Sequence, residues 1–351
     1  ARGWRCLVCA PSNVAVDGIL ERLVAADDGN SVGGSARKSQ GSRIVRLGHP
    51  ARLLPQILEH SLEALVSRHE GTAIVKDVRG EIDALMNQLY RNRDANGASK
   101  AKNRSRAGDR NGAKREVKAL RKEARVREEK VVREVMKSRN VVFATCVGAA
   151  AHSLRDEVFD LVIIDEAAQA LEAACWIPIL KGSRLVLAGD HKQLPPTVKS
   201  QKAEKGLRDG DGSGIGGAEG REGLGFTMFD RILRDHGQGV CRMLDVQYRM
   251  NEDICGWASR EMYGGRLHAH PSVAARTITG LPHASQAEDM AAAVMLLIDT
   301  TGCDMHEEEA GGGSRRNERE AEVTVEHVKN LLKAGVPEKD VAVISPYNGQ
   351  V

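Results

Sequence analysis

The chain has 351 residues, 41% of them hydrophobic, 28% charged and only 3% aromatic. That is the profile of a globular protein whose core rests on Val, Leu, Ile and Ala. No apolar run approaches the roughly 20 residues of a membrane span, which argues against a membrane partner. A net charge of +3 leans only weakly toward polyanions, so any nucleic-acid surface has to be a local groove.

The length predicts two domains. Arg5–Ala10 reads as a short apolar strand, followed by a turn at Pro11-Ser12-Asn13 and a helix through about Leu23. Cys6 and Cys9 lie in that strand, where a spacing of three turns them to opposite faces. Their C-x-x-C is therefore a poor zinc half-site, and all seven cysteines read as reduced core thiols. Asp27–Ser42 is a Gly/Ser-rich loop and Arg43–Leu47 a second strand. From about Leu53 to Arg139 charge dominates. Ile74, Val78, Ile82, Leu85 and Leu89 recur at helical spacing, as do Val117, Leu120, Ala124 and Val131, predicting a helical hairpin with a disordered tip at Asn92–Gly112.

Strands are then predicted at Val141–Thr145, Phe159–Asp165 and Arg184–Gly189, with a helix at Leu171–Leu180. Strands alternating with helices predict a parallel α/β sheet. Lys199–Gly225 is a Gly-rich spacer and the expected boundary. This gives a first domain over residues 1–198, a linker over 199–225 and a second domain over 226–351. The second is predicted to hold helices at Met228–Asp235, Glu252–Tyr263 and Glu318–Leu332, and strands at Cys241–Val246, Val294–Asp299 and Val341–Ser345. His306–Arg316 is read as a surface loop. The chain opens at Ala1 without Met and stops at Val351 just after a predicted strand, so both domains read as incomplete.

Three stretches carry chemistry. Leu161-Val162-Ile163-Ile164-Asp165-Glu166 ends a buried strand in two carboxylates, at the sheet edge where open α/β folds bind ligands. There, one carboxylate can hold Mg²⁺ through water and the other can orient the attacking water. One strand later, Gly189-Asp190-His191-Lys192-Gln193-Leu194-Pro195-Pro196-Thr197 delivers an acid and an amide to the same edge, followed by a rigid proline pair. Gln247-Tyr248-Arg249-Met250 offers an arginine that could reach a γ-phosphate and a tyrosine that could stack on a base. Taken alone, this last stretch also fits an ordinary strand-end arginine paired with an acid.

In this order, and with Ala10-Pro11-Ser12-Asn13-Val14-Ala15-Val16-Asp17 before them and Ser345-Pro346-Tyr347-Asn348-Gly349-Gln350-Val351 after, these stretches resemble the superfamily-1 helicases. The similarity is to the group containing the up-frameshift helicase, senataxin and the immunoglobulin S-mu-binding helicase, the last most of all, on Leu171–Pro178 and Trp257-Ala258-Ser259. The resemblance implies an α/β fold of two RecA-like, P-loop NTPase domains that clamp ATP between them, with the charged insert as a helical subdomain over the bound strand. It implies catalytic roles for Glu166 as base, Gln193 as γ-phosphate sensor and Arg249 as arginine finger. It implies nucleotide contacts for Asp165, which also carries Mg²⁺, Asp190 and Tyr248. Pro11, Ser12, Asn13, Thr145, Pro196 and Thr197 are the implied contacts to single-stranded DNA or RNA. Small donors such as Ser12, Asn13 and Thr145 suit backbone contacts without sequence specificity.

No G-x-x-x-x-G-K-[ST] occurs in the chain, and the resemblance places that loop before Ala1 and a second arginine beyond Val351. The expected activity is an ATP-dependent, 5′-to-3′ helicase or translocase in the nucleus or cytoplasm. The rivals are a non-catalytic single-strand-binding scaffold and an ATPase that remodels ribonucleoprotein without unwinding.

Overall fold

The computed structural model describes residues 3–29, 43–94, 103–200, 203, 223–280 and 294–351. They form two compact units, 1–240 and 241–351.

In the first unit the aliphatic runs become parallel strands: β1 (Cys6–Ala10), β2 (Ile44–Arg46), β3 (Val141–Thr145), β4 (Leu161–Ile164) and β5 (Leu185–Leu187). Their order is β2-β3-β1-β4-β5. Period-two alternation sends Leu7, Cys9, Val45, Val142, Ala144, Val162 and Ile164 to one face, while Val8, Ala10, Ile44 and Phe143 face the other. On that second face they meet Val16 and Leu20 of helix α1 (Asn13–Gly29). Both faces are covered, as a parallel sheet requires.

The charged segment folds as the helical hairpin that its helical spacing predicts. After a short helix α2 (Leu62–Ser67), α3 (Gly71–Asp94) and α4 (Asn103–Lys137) pack through Val78, Ile82, Val117 and Ala124. Gly71 lies against Val131 and Arg79 pairs with Glu128 at 2.5 Å, so the two helices run antiparallel. Within the expected disordered tip, Asn92–Asp94 and Asn103–Gly112 are helical; residues 95–102 lie outside the described ones. On α4, Arg127 pairs with Glu123 at 2.6 Å and Arg125 with Glu129 at 3.0 Å, the i,i+4 pattern of a salt-bridged helix.

Helix α5 (Glu172–Ile179) precedes β5. Helix α6 (Met228–His236) had been expected to open the second domain but packs on the first. Met228 is 3% exposed within the sheet's core, and Arg231 is ion-paired with Glu172 of α5. α6 takes its apolar contacts from the unit before it. Most of that spacer, residues 201–202 and 204–222, lies outside the described residues.

The second unit departs further from expectation. A two-residue parallel pair, β6 (Val246–Gln247) with β7 (His268–Ala269), stands where a longer strand was predicted from Cys241. Helices α7 (Glu252–Tyr263), α8 (Pro271–Ala274) and α9 (Glu318–Lys333) are capped by Asn251, His270 and Asn317 side chains. The predicted loop at His306–Arg316 contains an antiparallel hairpin, β8 (Glu308–Glu309) with β9 (Arg315–Arg316), in which Arg316 pairs with Glu308 at 3.0 Å. The predicted strands Val294–Asp299 and Val341–Ser345 do not form. Leu297 and Ile344 are each 91% exposed, and among the described residues these runs have no ladder partner. Apolar composition alone does not make a parallel strand without neighbours on both sides.

Candidate active site and nucleic-acid interface

The register of the first sheet brings the candidate residues to one level of its carboxyl edge. Ala10 aligns with Thr145, Cys9 with Ile164, and Ile164 with Leu187. The residues after those positions therefore leave the sheet side by side. The Asp165 amide donates to the Cys9 carbonyl at 2.8 Å, and the Cys146 amide to the Ala10 carbonyl at 2.9 Å.

Asp165 and Glu166 form a tight turn at the end of β4. Glu166 adopts φ 52°, the left-handed region, a strained state for a residue with a side chain and one concentrated at functional sites. Two contacts hold it. The Ala167 amide donates to the Ala188 carbonyl at 2.9 Å, and Gln169 Nε2 donates to Glu166 Oε2 at 3.0 Å. Gly189 completes the fit, because a β-carbon there would lie 3.0 Å from the backbone nitrogens of both Ala167 and Ala168.

The next loop is arranged around Asp190, whose carboxylate accepts from the Lys192 amide at 3.0 Å and from Gln193 Nε2 at 2.9 Å. Gln193 itself is exposed. Phe229 of α6 stacks on His191, with ring centroids 5.9 Å apart. Pro196 is buried and Thr197 exposed, so of these two expected nucleic-acid contacts only Thr197 presents its side chain to solvent. Gly189, Gln169 and the His191–Phe229 stack were not singled out from the sequence. Only the glycine before Asp190 offered a signal.

On the β1–β3 side, Ser12 Oγ accepts from the Ala15 amide at 3.2 Å, and Thr145 Oγ1 accepts from the Gly148 amide at 3.0 Å. Each hydroxyl keeps its own proton to donate. Pro11 and Ser12 are exposed, and Asn13 and Thr145 are half-buried. Asn13 Oδ1 accepts from Arg46 Nη2 at 3.0 Å.

Behind the edge, Cys9, Cys146 and Cys175 are buried and free of disulfides. Burial pushes the Cys9 thiol up to about 12, with the neighbouring Cys175 adding to the effect. A hydrogen bond with Cys175, followed by burial, raises Cys146.

In the second unit, Gln247 staples its loop. Its Oε1 accepts from the Arg249 and Met250 amides, both at 2.7 Å, and its Nε2 donates to the Met250 carbonyl at 2.7 Å. Tyr248 and Arg249 are thereby turned outward; Tyr248 is 65% exposed. Tyr248 stacks on His270 at 4.3 Å between centroids, a partner that sequence reading missed.

Two AAA-domain family models match the chain, one over residues 1–201 and the other over 224–351. The chain is 40% identical, over its whole length, to the DNA-binding protein SMUBP-2 of Rattus norvegicus, covering 32% of that protein. It is 33% identical to the DNA polymerase alpha-associated DNA helicase A of Schizosaccharomyces pombe, all of this chain aligning with 47% of that protein. With the ATP-dependent helicase NAM7 of Saccharomyces cerevisiae it shares 30% identity over 99% of its length and 29% of the relative's. The chain thus spans between about a third and a half of these curated relatives. Among the described residues, no helix is long and apolar enough to cross a membrane.

Proposed function

This chain belongs to the AAA-domain family of superfamily-1 helicases, and we propose that it is the motor of an ATP-dependent helicase or translocase acting on single-stranded DNA or RNA. The observation that carries the proposal is the shared carboxyl edge. Asp165 and Glu166 at the end of β4 and Asp190 and Gln193 after β5 stand beside the hydroxyl- and amide-bearing ends of β1 and β3.

Glu166, fixed by Gln169, is the base that orients and deprotonates the attacking water. Gln193 reads the γ-phosphate, a role for which its amide must leave Asp190. Arg249 supplies positive charge to the transition state, and Tyr248 offers its ring to the base. A magnesium ion fits this donor set. Asp165 and Glu166 offer carboxylates at the end of β4, and Mg²⁺ is typically held by one or two carboxylates with phosphates and water. Asp165 is the residue that would hold it, and the ion would neutralise charge on the phosphates. Ser12, Asn13, Thr145 and Thr197 bind the phosphate backbone without reading bases, while Pro11 and Pro196 shape their loops. Movement 5′-to-3′ and an intracellular setting, nuclear or cytoplasmic, go with this reading.

The test is Glu166→Gln in the full-length protein. ATP affinity is expected to persist while nucleic-acid-stimulated hydrolysis falls by at least ~10²-fold, the usual scale of a general base. Near-normal turnover would remove Glu166 from the chemistry, whereas no stimulated hydrolysis in the unaltered full-length protein would overturn the motor reading.

A further inference from the structure

The sheet's edge strand β2 carries a charge in its core. Arg46 is fully buried in the run Ile44-Val45-Arg46-Leu47, where its neighbours are aliphatic. Each of its three guanidinium nitrogens donates: Nε to Asp17 Oδ1 at 2.7 Å, Nη1 to the Leu47 carbonyl, and Nη2 to Asn13 Oδ1 at 3.0 Å. Asp17 is itself 1% exposed. Asn13 and Asp17 are four residues apart on α1, so both side chains fall on the helix face turned to β2. An ion pair this deep is poor evidence for stability, since apolar residues of the same volume often serve the core as well. Its geometry does something that an apolar pair could not.

A guanidinium can only donate. The Asn13 atom that meets it must therefore be the carbonyl oxygen, which leaves Nδ2, with two N–H groups, as the other end of the amide. An unrestrained asparagine can present either end to a ligand. Here the buried Arg46–Asp17 pair fixes which one. Nitrogen donors are what an anionic phosphate requires, and the oxygen end would repel it.

We propose that Arg46, held by Asp17, is a positioning residue that locks the Asn13 amide with its N–H groups toward the nucleic-acid backbone. This rests on the reading of Asn13 as a backbone contact. It adds that the polarity of that contact is set from inside the sheet. Arg46 touches no nucleic acid and acts only through Asn13.

The experiment is a double-mutant cycle on the full-length protein, with a fluorescently labelled oligo-dT as probe and anisotropy as readout. Asn13→Ala is expected to weaken binding about tenfold, the scale of one hydrogen bond to a charged group. Arg46→Lys, which keeps the charge but loses the fork, is expected to weaken it by a similar factor. The double variant is expected to bind within twofold of Asn13→Ala alone, because Arg46 has nothing further to act through. Equal weakening by Arg46→Lys in both backgrounds would reveal a general structural effect and overturn the proposal, as would wild-type binding by Arg46→Lys. If Asn13→Ala binds as the wild type does, the backbone-contact reading of Asn13 fails first and the proposal goes with it.

Should Arg46→Lys fail to fold, Asn13→Asp decides. It keeps an oxygen for Arg46 and replaces the outward donors with a second oxygen. The expected result is an undiminished melting temperature with binding weakened at least tenfold. Wild-type binding by Asn13→Asp would overturn the proposal.

Discussion

Gly189→Ala tests whether the two acidic loops are packed as one unit. The added methyl would sit 3.0 Å from the Ala167 and Ala168 nitrogens. Neither can withdraw easily, because Ala167 N is hydrogen-bonded to Ala188 O at 2.9 Å and both residues are buried. Restoring an ordinary contact of about 3.4 Å requires a shift of ~0.4 Å in the turn that carries Glu166. Overpacking of this kind costs about 1–3 kcal/mol, which for a unit of this size lowers the melting temperature by roughly 2–12 °C. If a misplacement of 1 Å loses ~10²-fold in rate, 0.4 Å corresponds to roughly sixfold. Differential scanning fluorimetry and nucleic-acid-stimulated ATPase on the full-length protein read the two effects. A variant with both wild-type melting and wild-type turnover would refute the packing argument.

Further outcomes follow from the same geometry. Pro196→Gly frees φ in a loop whose next residue, Thr197, is exposed. ATP and strand are expected to bind still, while stimulation of hydrolysis by single strand falls; since Pro196 is buried, melting will drop as well, and an unchanged stimulation ratio on folded protein would exclude a coupling role. The Cys9 thiol, raised by burial to about 12 from an ordinary 9.0, binds its proton more tightly in the folded state. Its contribution to stability is therefore complete below pH 9 and is lost between about 9 and 12. Melting temperature should fall across that window and fall less in Cys9→Ala, and identical pH profiles would contradict this. Cys303 is exposed whereas Cys9, Cys146 and Cys175 are buried, so native alkylation monitored by mass spectrometry should modify Cys303 first. Early labelling of the buried three would show that the sheet opens readily.

Much of the first unit was legible because its physics is local. Leu161–Ile164 announces a strand buried on both faces, and the spacing of Val78, Ile82, Val117 and Ala124 announces the α3–α4 contact. Arg46 was not legible. It meets Asp17 29 residues away in sequence, and nothing in a list of charges distinguishes a buried cation from a solvated one. The one clue was an arginine inside an otherwise aliphatic strand, which obliges a partner. Val294–Asp299 and Val341–Ser345 failed for the opposite reason. Their composition suits a strand, but pairing depends on hydrogen-bonding neighbours that composition does not report. Gln193 falls in the loop after β5, where the sequence puts it, yet its bond to Asp190 and the burial of Pro196 depend on how the backbone turns there.

The order β2-β3-β1-β4-β5 also bears on timing. β1 is a party wall, with the residues proposed for nucleic acid leaving its end and that of β3, and the carboxylate pair proposed for hydrolysis leaving β4 on its other side. Strands lie ~4.8 Å apart, so Thr145 and Asp165 are anchored about 10 Å from each other across Ala10. The bonds from Asp165 to Cys9 and from Cys146 to Ala10 would have to break for either side to slide. The sheet is thus a ruler and cannot be the clock. A change between empty and loaded states is therefore expected in the loops beyond the sheet's edge, where the role proposed for Gln193 requires its amide to leave Asp190, rather than in any drift of the strands.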